Sequence, residues 1–385
     1  MILAVPKETY PGERRVALVP SAVPPLIKAG FTVLVEQDAG TAASCLDTDF
    51  KDKGAEIVPS RSDLFARADV ILQVRSPGAN PEAGAADIAM LREGQIVIGL
   101  TEPFTDPAIS KAVAETGAVL FSMELIPRIT RAQSMDALSS MATLAGYQAV
   151  LLAAGNLPKM FPMMMTAAGT IAPAKVFIVG VGVAGLMAIA QARKLGAVVE
   201  AYDVRPAVKE QVQSLGAKFV EMELEADDAE DKGGYAKAMD EDFYRKQREL
   251  MTRVVAANDV VITTAAIPGR AAPILVTEEM VKGMAPGSVI VDLAAVGGGN
   301  CELTRPDEVV EAHGVKIFGP TDLPSQMCID ASRMYAKNIS ALLLNMAEDG
   351  RVDIDKDDEV VAGTMVTRDG KVVHPMILEK LEETA

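Results

Sequence analysis

The chain has 385 residues, 49% of them apolar, and sets 37 Lys and Arg against 53 Asp and Glu for a net charge of −16. That length exceeds what one ordinary core serves, so two domains are expected, and the acidic balance argues against nucleic acid or an anionic membrane surface as a direct partner. Cys45, Cys301 and Cys328 are odd in number and lack CxxC spacing, so they give no sign of a disulfide framework or a zinc site and point to a reducing compartment.

The N-terminus, MILAVPKETYPGER, opens with a strand pattern instead of the charged head and long apolar middle of a signal peptide, and a cytoplasmic chain is expected. Strand-like runs then alternate with helical patterns: ILAVP, SAVPPLIKAG, FTVLVEQ, DVILQV, GQIVIGL and AVLFSM. A long apolar helix is predicted from about Met135 to Gly155. A second series follows, with KVFIVG, AVVEAYD, AKFVEM, DVVITTA, SVIVDLA and VKIFG as strands between helices. A last long helix spans about Ile329 to Met346, and VAGTMVTRDGKVVHP reads as a hairpin turning at Asp369-Gly370. Two such series predict an α/β protein of two doubly wound, Rossmann-like domains flanking a cleft and linked by long helices. The expected division is a discontinuous first domain, 1–138 plus 325–385, and a Rossmann domain, 139–324. The uncharged run VFIVGVGVAGLMAIAQA from Val176 is too short for a membrane span, and no direct membrane insertion is expected. The acid-rich stretch from Glu221 to Met239 reads as a long mobile loop.

Gly180, Gly182 and Gly185 form GxGxxG directly after one strand and at the head of a helix. In that pattern the first glycine makes the tight turn, the second lets backbone approach a pyrophosphate, and the third permits close helix packing. Phosphates would sit on the helix N-terminus, beside Val183 and Ala184. Asp203, followed by Val204 and Arg205, closes the next strand, where a carboxylate accepts hydrogen bonds from an adenosine ribose and repels a 2′-phosphate. The site is therefore expected to prefer NAD(H), with Arg205 tempering the preference. The motif occurs once, so a single dinucleotide is expected on the chain.

A nicotinamide dehydrogenase acting on an alcohol or amine moves a proton together with the hydride and needs a His or Lys at the reacting carbon. Only His313 and His374 are present; His313 is expected in a turn and His374 at the surface. There is no HExxH, no GxSxG and no Cys/His constellation, and no metal is expected. This scarcity points to a reaction that moves no proton at carbon.

From the glycine motif outward the sequence resembles the alanine dehydrogenase and nicotinamide nucleotide transhydrogenase superfamily. The resemblance is carried by PKE at Pro6, ERRVAL at Glu13, MELIPRITRAQSMDALSSMATLAGY from Met123, FPMMMTAAGTIAPAKVFIVGVGVAGL from Phe161, GGYAKAM from Gly233, ITTAAIPG from Ile262 and GGNC from Gly298. It covers nearly the whole chain and is most specific to the NAD(H)-binding branch of Si/Re-specific, proton-translocating transhydrogenases. Against the alanine dehydrogenase branch, a substrate lysine falls at Arg75, a catalytic histidine at Glu102 and an active-site aspartate at Val296. An amino-acid or keto-acid dehydrogenase is the alternative reading, and a nucleotide-sensing module a third.

The resemblance implies direct hydride transfer from NAD(H) on this chain to NADP(H) on a partner, the NADP(H)-binding beta component. It further implies a homodimer and a separate membrane-spanning component that conducts protons, with this chain peripheral on the inner face of the cell membrane. Within PRITRAQSMDALSS, Gln133, Arg128, Asp136 and Ser139 match the family positions at the nicotinamide end, together with Ile129, Ser134 and Met135. Gln133 is expected to orient the carboxamide, and Arg128 to pair with Asp136. A purely local reading stands beside it: Thr130 and Gln133 have capping-box spacing, and Asp136 suits a helix start. Gly234 and Tyr235 resemble a mobile lid, and Thr264, Ala265 and Ala266 follow a strand where backbone groups would meet ribose or pyrophosphate.

Overall fold

The computed structural model describes residues 1–221, 241–266, 269–355 and 357–384. Six strands come first: β1 (Ile2–Val5), β2 (Thr32–Glu36), β3 (Glu56–Val58), β4 (Val70–Arg75), β5 (Ile96–Leu100) and β6 (Val119–Ser122). A six-residue 3-10 helix, Thr130–Met135, precedes the long α-helix Ala137–Asn156. The hairpin β7 (Met164–Thr166) and β8 (Gly169–Ile171) is a two-stranded sheet of its own. Next come β9 (Lys175–Val179), β10 (Val198–Tyr202), β11 (Lys218–Phe219), β12 (Val260–Thr263), β13 (Val289–Asp292), β14 (Val309–Ala312) and β15 (Val315–Phe318). The helix Cys328–Met346 follows, then a small hairpin, β16 (Ala347–Glu348) and β17 (Arg351–Val352), and the short helix Glu359–Thr364. β18 (Met365–Arg368) and β19 (Lys371–Val372) precede the last helix, Pro375–Thr384.

The chain divides into two compact units, Met1–Met141 with Ser325–Ala385, and Ala142–Pro324. The sheet of the first unit runs β19-β18-β6-β5-β4-β1-β2-β3 and that of the second β11-β10-β9-β12-β13-β15-β14. In each, the parallel strands are wound outward in both directions from the first, and the order reverses beside β1 in one and β9 in the other. The second sheet buries both faces, which explains its unbroken apolar runs. Val176 and Ile178 of β9 face one core, and Phe177 and Val179 the other; Val260 and Ile262 of β12 oppose Val261 in the same way.

β18 pairs antiparallel with β6, so the C-terminal hairpin extends the first sheet. Asp369 at φ 49° and Gly370 at φ 73° make its turn, as the Asp-Gly pair predicts. His313, at φ 55°, turns β14 into β15 with Gly314. His374 departs from expectation: it is buried, because it leads into the last helix, whose Ile377 and Leu378 N–H groups donate to its carbonyl. The helix Ala137–Asn156 is, among the described residues, the one long and apolar enough to cross a membrane by length and composition. Its Ala149, Val150 and Ala153 are core residues of the second unit. Gly146 on it packs so closely on the glycine-motif helix that a Cβ would lie 2.1 Å from the Ala184 carbonyl oxygen.

Candidate functional site

β9 ends at Val179 and the helix Val183–Lys194 starts just beyond it, with the three glycines between and just inside. Gly180 has φ +91°, a conformation that side chains rarely adopt. A Cβ on Gly185 would meet the Gly180 carbonyl oxygen at 2.0 Å, so the third glycine brings the helix against the turn. Gly182 differs from both: a Cβ there would have nothing within 4 Å. The open side of the turn is thus at the second glycine, in front of a helix N-terminus, which is where a pyrophosphate needs room and N–H donors. The residues present fit a dinucleotide, with Gly182, Val183 and Ala184 placed to hold its phosphates.

Asp203 follows β10 and is tied to the same turn. Its Oδ2 accepts the Val181 N–H at 2.7 Å, and its carboxylate also accepts the Arg205 N–H, Nε and Nη2, each at 2.9 Å. One carboxylate therefore both shapes the glycine turn and holds Arg205, with Val204 between them. After β12, the Thr264 hydroxyl donates to the Gly180 carbonyl at 3.0 Å. Ala265 gives its N–H to Asn300 Oδ1 at 2.9 Å and accepts from Asn300 Nδ2 at 2.8 Å. Asn300, wholly buried, spends a further donor bond on the Pro273 carbonyl at 2.8 Å. The Ala265 backbone groups are thus already satisfied inside the protein, leaving Ala266 as the next residue along that strand end. Asn300 and Asp292, whose Oδ2 accepts the Cys301 N–H at 2.9 Å and the Thr304 hydroxyl at 2.7 Å, are buttressing residues that motif reading passed over. Their signal is the GGNC stretch. Gly234 and Tyr235, with the rest of the expected loop from 222 to 239, lie outside the described residues.

In the first unit, the segment after β6 brings the other expected residues together. Arg128, Gln133 and Ser134 are exposed or nearly so, Ile129 lies beside them, and Ala132 and Met135 are buried as apolar pins. Asp136 proves to be the cap of the helix Ala137–Asn156: Oδ1 accepts the Ser139 N–H at 2.8 Å and Oδ2 its hydroxyl at 2.6 Å. The Thr130–Gln133 capping box does not form, since Thr130–Met135 is a 3-10 helix with Ile129 at its cap and no side-chain cap bond.

The strand ends of the first unit carry a dense ionic network. Arg15 donates through Nε and Nη2 to the wholly buried Glu13 carboxylate at 2.7 and 2.6 Å. Arg75 lies over the Tyr10 ring, 4.1 Å from its centroid, and contacts Glu13 at 3.0 Å and Glu102 at 3.5 Å. Glu8 accepts the Val74 and Arg75 N–H groups at 2.6 and 3.1 Å. Burial and the neighbouring Glu13 charge push its carboxyl up to about 8. Burial also opposes the charge on Glu13, but the hydrogen bond and charge of Arg15 prevail and hold it at about 2. Val296 is 64% exposed and lies in the second unit. His313 contacts Glu278 at 2.9 Å. No group of acidic, Cys or His residues able to hold a metal occurs among the described residues.

A doubly wound sheet whose first strand runs into a three-glycine turn, closed by an Asp at the next strand's end, defines a dinucleotide-binding protein of Rossmann type. Residues 4–145 match the alanine dehydrogenase/PNT N-terminal domain and residues 149–375 its C-terminal domain, and the chain belongs to the alanine dehydrogenase/PNT family. It is 48% identical over 380 residues, 98% of this chain and 99% of the relative, to the first of the separately encoded pieces of the NAD(P) transhydrogenase alpha subunit of Rhodospirillum rubrum. The crystal structure of a transhydrogenase from Sinorhizobium meliloti is similar at a TM-score of 0.84 and 44% identity, covering 98% of this chain and 100% of that one. An L-alanine dehydrogenase structure is similar at a TM-score of 0.82 and 25% identity, covering 100% of both chains. The resemblance read from the sequence and the α/β class in two domains therefore hold, and the fold implies nicotinamide nucleotide binding.

Proposed function

We propose that the chain is the NAD(H)-binding component of a proton-translocating nicotinamide nucleotide transhydrogenase. It holds NAD(H) on the glycine turn of the second unit, and the 128–139 segment of the first unit orients the nicotinamide, Gln133 engaging the carboxamide. When bound, the dihydronicotinamide supplies a hydride to NADP+ carried by a beta-component partner. The chain's own residues have no proton to move in that exchange; they bind, aim and keep water out. As a homodimer peripheral to the inner face of the cell membrane, it acts beside a separate membrane-spanning component that conducts the protons.

The observation that carries this reading is the chemistry at the first unit's strand ends. A dehydrogenase acting on a keto acid needs cationic groups available to a substrate carboxylate and a proton donor at the reacting carbon. Here Arg15 and Arg75 are engaged by Glu13, and the place of the catalytic histidine is taken by Glu102. The test is to mix the chain with an NADP(H)-binding partner and follow hydride transfer from NADH to an NADP+ analogue. Transfer is expected only in the mixture; tight NADH binding without transfer would favour a sensor, and reduction of pyruvate plus ammonia by the chain alone would favour the dehydrogenase.

A further inference from the structure

The 128–136 segment carries its proposed role on a weak scaffold. A 3-10 helix has poorer hydrogen-bond geometry than an α-helix and does not fix itself. Here the Ala132 N–H reaches the Ile129 carbonyl at 3.0 Å, and the Asp136 N–H the Gln133 carbonyl at 3.3 Å. Exposed Gln133 nevertheless stands between two residues that are tied to distant parts of the chain.

On one side Arg131 grips Asp358 with a two-pronged contact, Nη1 to Oδ2 and Nη2 to Oδ1, each at 3.0 Å, and reaches Glu359 at 3.3 Å. Asp358 is itself the cap of the helix Glu359–Thr364, its Oδ1 accepting the Val360 N–H at 2.8 Å. That helix touches the segment again at its start, where a Cβ on Gly363 would lie 3.8 Å from Pro127 Cδ. On the other side Asn338, in the middle of the helix Cys328–Met346, donates Nδ2 to the Ser134 carbonyl at 2.9 Å. Asn338 is 5% exposed, and its Oδ1 is buried without a hydrogen-bond partner among the described residues. A buried amide with one orphan oxygen is a costly way to fill a helix face, which argues that the single donor bond is what the position is kept for.

We infer that Arg131 and Asn338 are positioning residues that hold Gln133 in its productive direction from either side. The inference rests on the proposed function, since it names what keeps the nicotinamide-facing side chain in place. Neither residue is asked to touch the nucleotide.

The experiment uses the full chain assembled with an NADP(H)-binding partner. It reads the hydride-transfer rate at saturating NADH, the NADH dissociation constant and the melting temperature. Asp358→Asn keeps an oxygen for the helix cap, because Asn caps as well as Asp, but removes the charge and second prong that Arg131 uses. Asn338→Leu removes the donor and the orphan oxygen together, so the fold loses little while Ser134 is released. Both are expected to slow transfer by about tenfold or more with NADH affinity held within about threefold, since small misplacements act on the reacting geometry before they act on binding. Arg131→Lys keeps the charge without the fork, and is expected to be faster than Arg131→Ala. Normal transfer in Asp358→Asn and Asn338→Leu, alongside slow transfer in Gln133→Asn, would overturn the positioning role alone. Equal losses in rate and affinity would overturn it as well, by making the anchors part of the binding site. Normal transfer in Gln133→Asn itself would overturn the functional reading on which the inference stands.

Discussion

Replacing Asp203 with Asn separates the internal and the nucleotide-facing work of one carboxylate. Four donors converge on it: the Val181 N–H at 2.7 Å and three Arg205 donors at 2.9 Å. The amide keeps one acceptor oxygen, enough for either Val181 or the Arg205 pair, and turns a donor toward the other. Hydrogen bonds to a charged group contribute about 1.5–3 kcal/mol each, and Arg205 is 18% exposed, so the stability loss is expected near about 1.5–3 kcal/mol instead of the full sum. If the carboxylate also accepts from the adenosine ribose, the same magnitude appears in binding, and NADH affinity falls about tenfold to a hundredfold. NADPH affinity is expected to hold or rise, because the charge opposing a 2′-phosphate is gone and Arg205 is released. Titration of both nucleotides by their own fluorescence, with thermal melts alongside, reads the two effects separately. A lower melting temperature with an unchanged NADH-to-NADPH preference would refute the ribose assignment and leave Asp203 only as the turn's internal brace.

The glycine turn makes a contrasting pair of predictions. Gly182→Ala adds a methyl where nothing lies within 4 Å, so the melting temperature should stay level or rise slightly while NADH binding weakens; unchanged affinity would mean the open side of the turn holds no phosphate. Gly185→Ala drives a Cβ to 2.0 Å from the Gly180 carbonyl oxygen and should destabilise the second unit outright, which denaturant melts of the two variants will distinguish. Gln133→Asn should slow hydride transfer to the partner's NADP+ analogue far more than it weakens NADH binding, and matched losses would make Gln133 a binding residue only.

Much of this architecture is legible in the sequence because the signals are local. The period-two burial of VFIV, the glycine spacing and the Asp-Gly turn each lie within a dozen residues, and each produces the expected element. The three-residue strand β3 and the edge strand β14 escape because EIV is too short to show a period, and VVEA has a solvated, alternating edge pattern that a helix end also shows. At the start of the helix Ala137–Asn156, Thr130–Gln133 and Asp136–Ser139 offer equally good capping spacings. The choice of Asp136 follows from where the 3-10 segment ends, which spacing does not record. Asn300 and Asn338 are invisible for a different reason: their partners, Ala265 and Ser134, are 35 and 204 residues away, and only the winding of the sheets brings them together.

The network at the first unit's strand ends makes a prediction about pH that also bears on which branch of the family's chemistry the chain can perform. Two carboxyls share the field of Arg15 and Arg75. Glu13 takes the direct hydrogen bonds and stays ionised, held at about 2, whereas burial and the Glu13 charge push Glu8 up to about 8. Environments that drive two neighbouring carboxyls apart leave one charged and one neutral at pH 7. Between pH about 4.5 and about 8 the folded chain therefore retains a proton on Glu8 that the unfolded chain releases. The Glu8 contribution is fully present below that window and is lost as pH rises through it, with a slope of at most about 1.4 kcal/mol per pH unit. Glu8→Gln cannot titrate, so the stability difference between wild type and variant, measured by denaturant melts from about pH 5 to about pH 9, should change steadily to the variant's advantage as pH rises. A flat difference would show Glu8 already ionised and refute the sharing of one charge. The expected slope carries a chemical corollary: with Glu13 charged and wholly buried against Arg15, and Arg75 held between Glu13 and Glu102, a keto-acid carboxylate must displace an internal carboxylate to reach either guanidinium. The pocket chemistry that an alanine dehydrogenase needs is here satisfied from within, which leaves hydride exchange between nicotinamides as the reaction that the remaining groups suit.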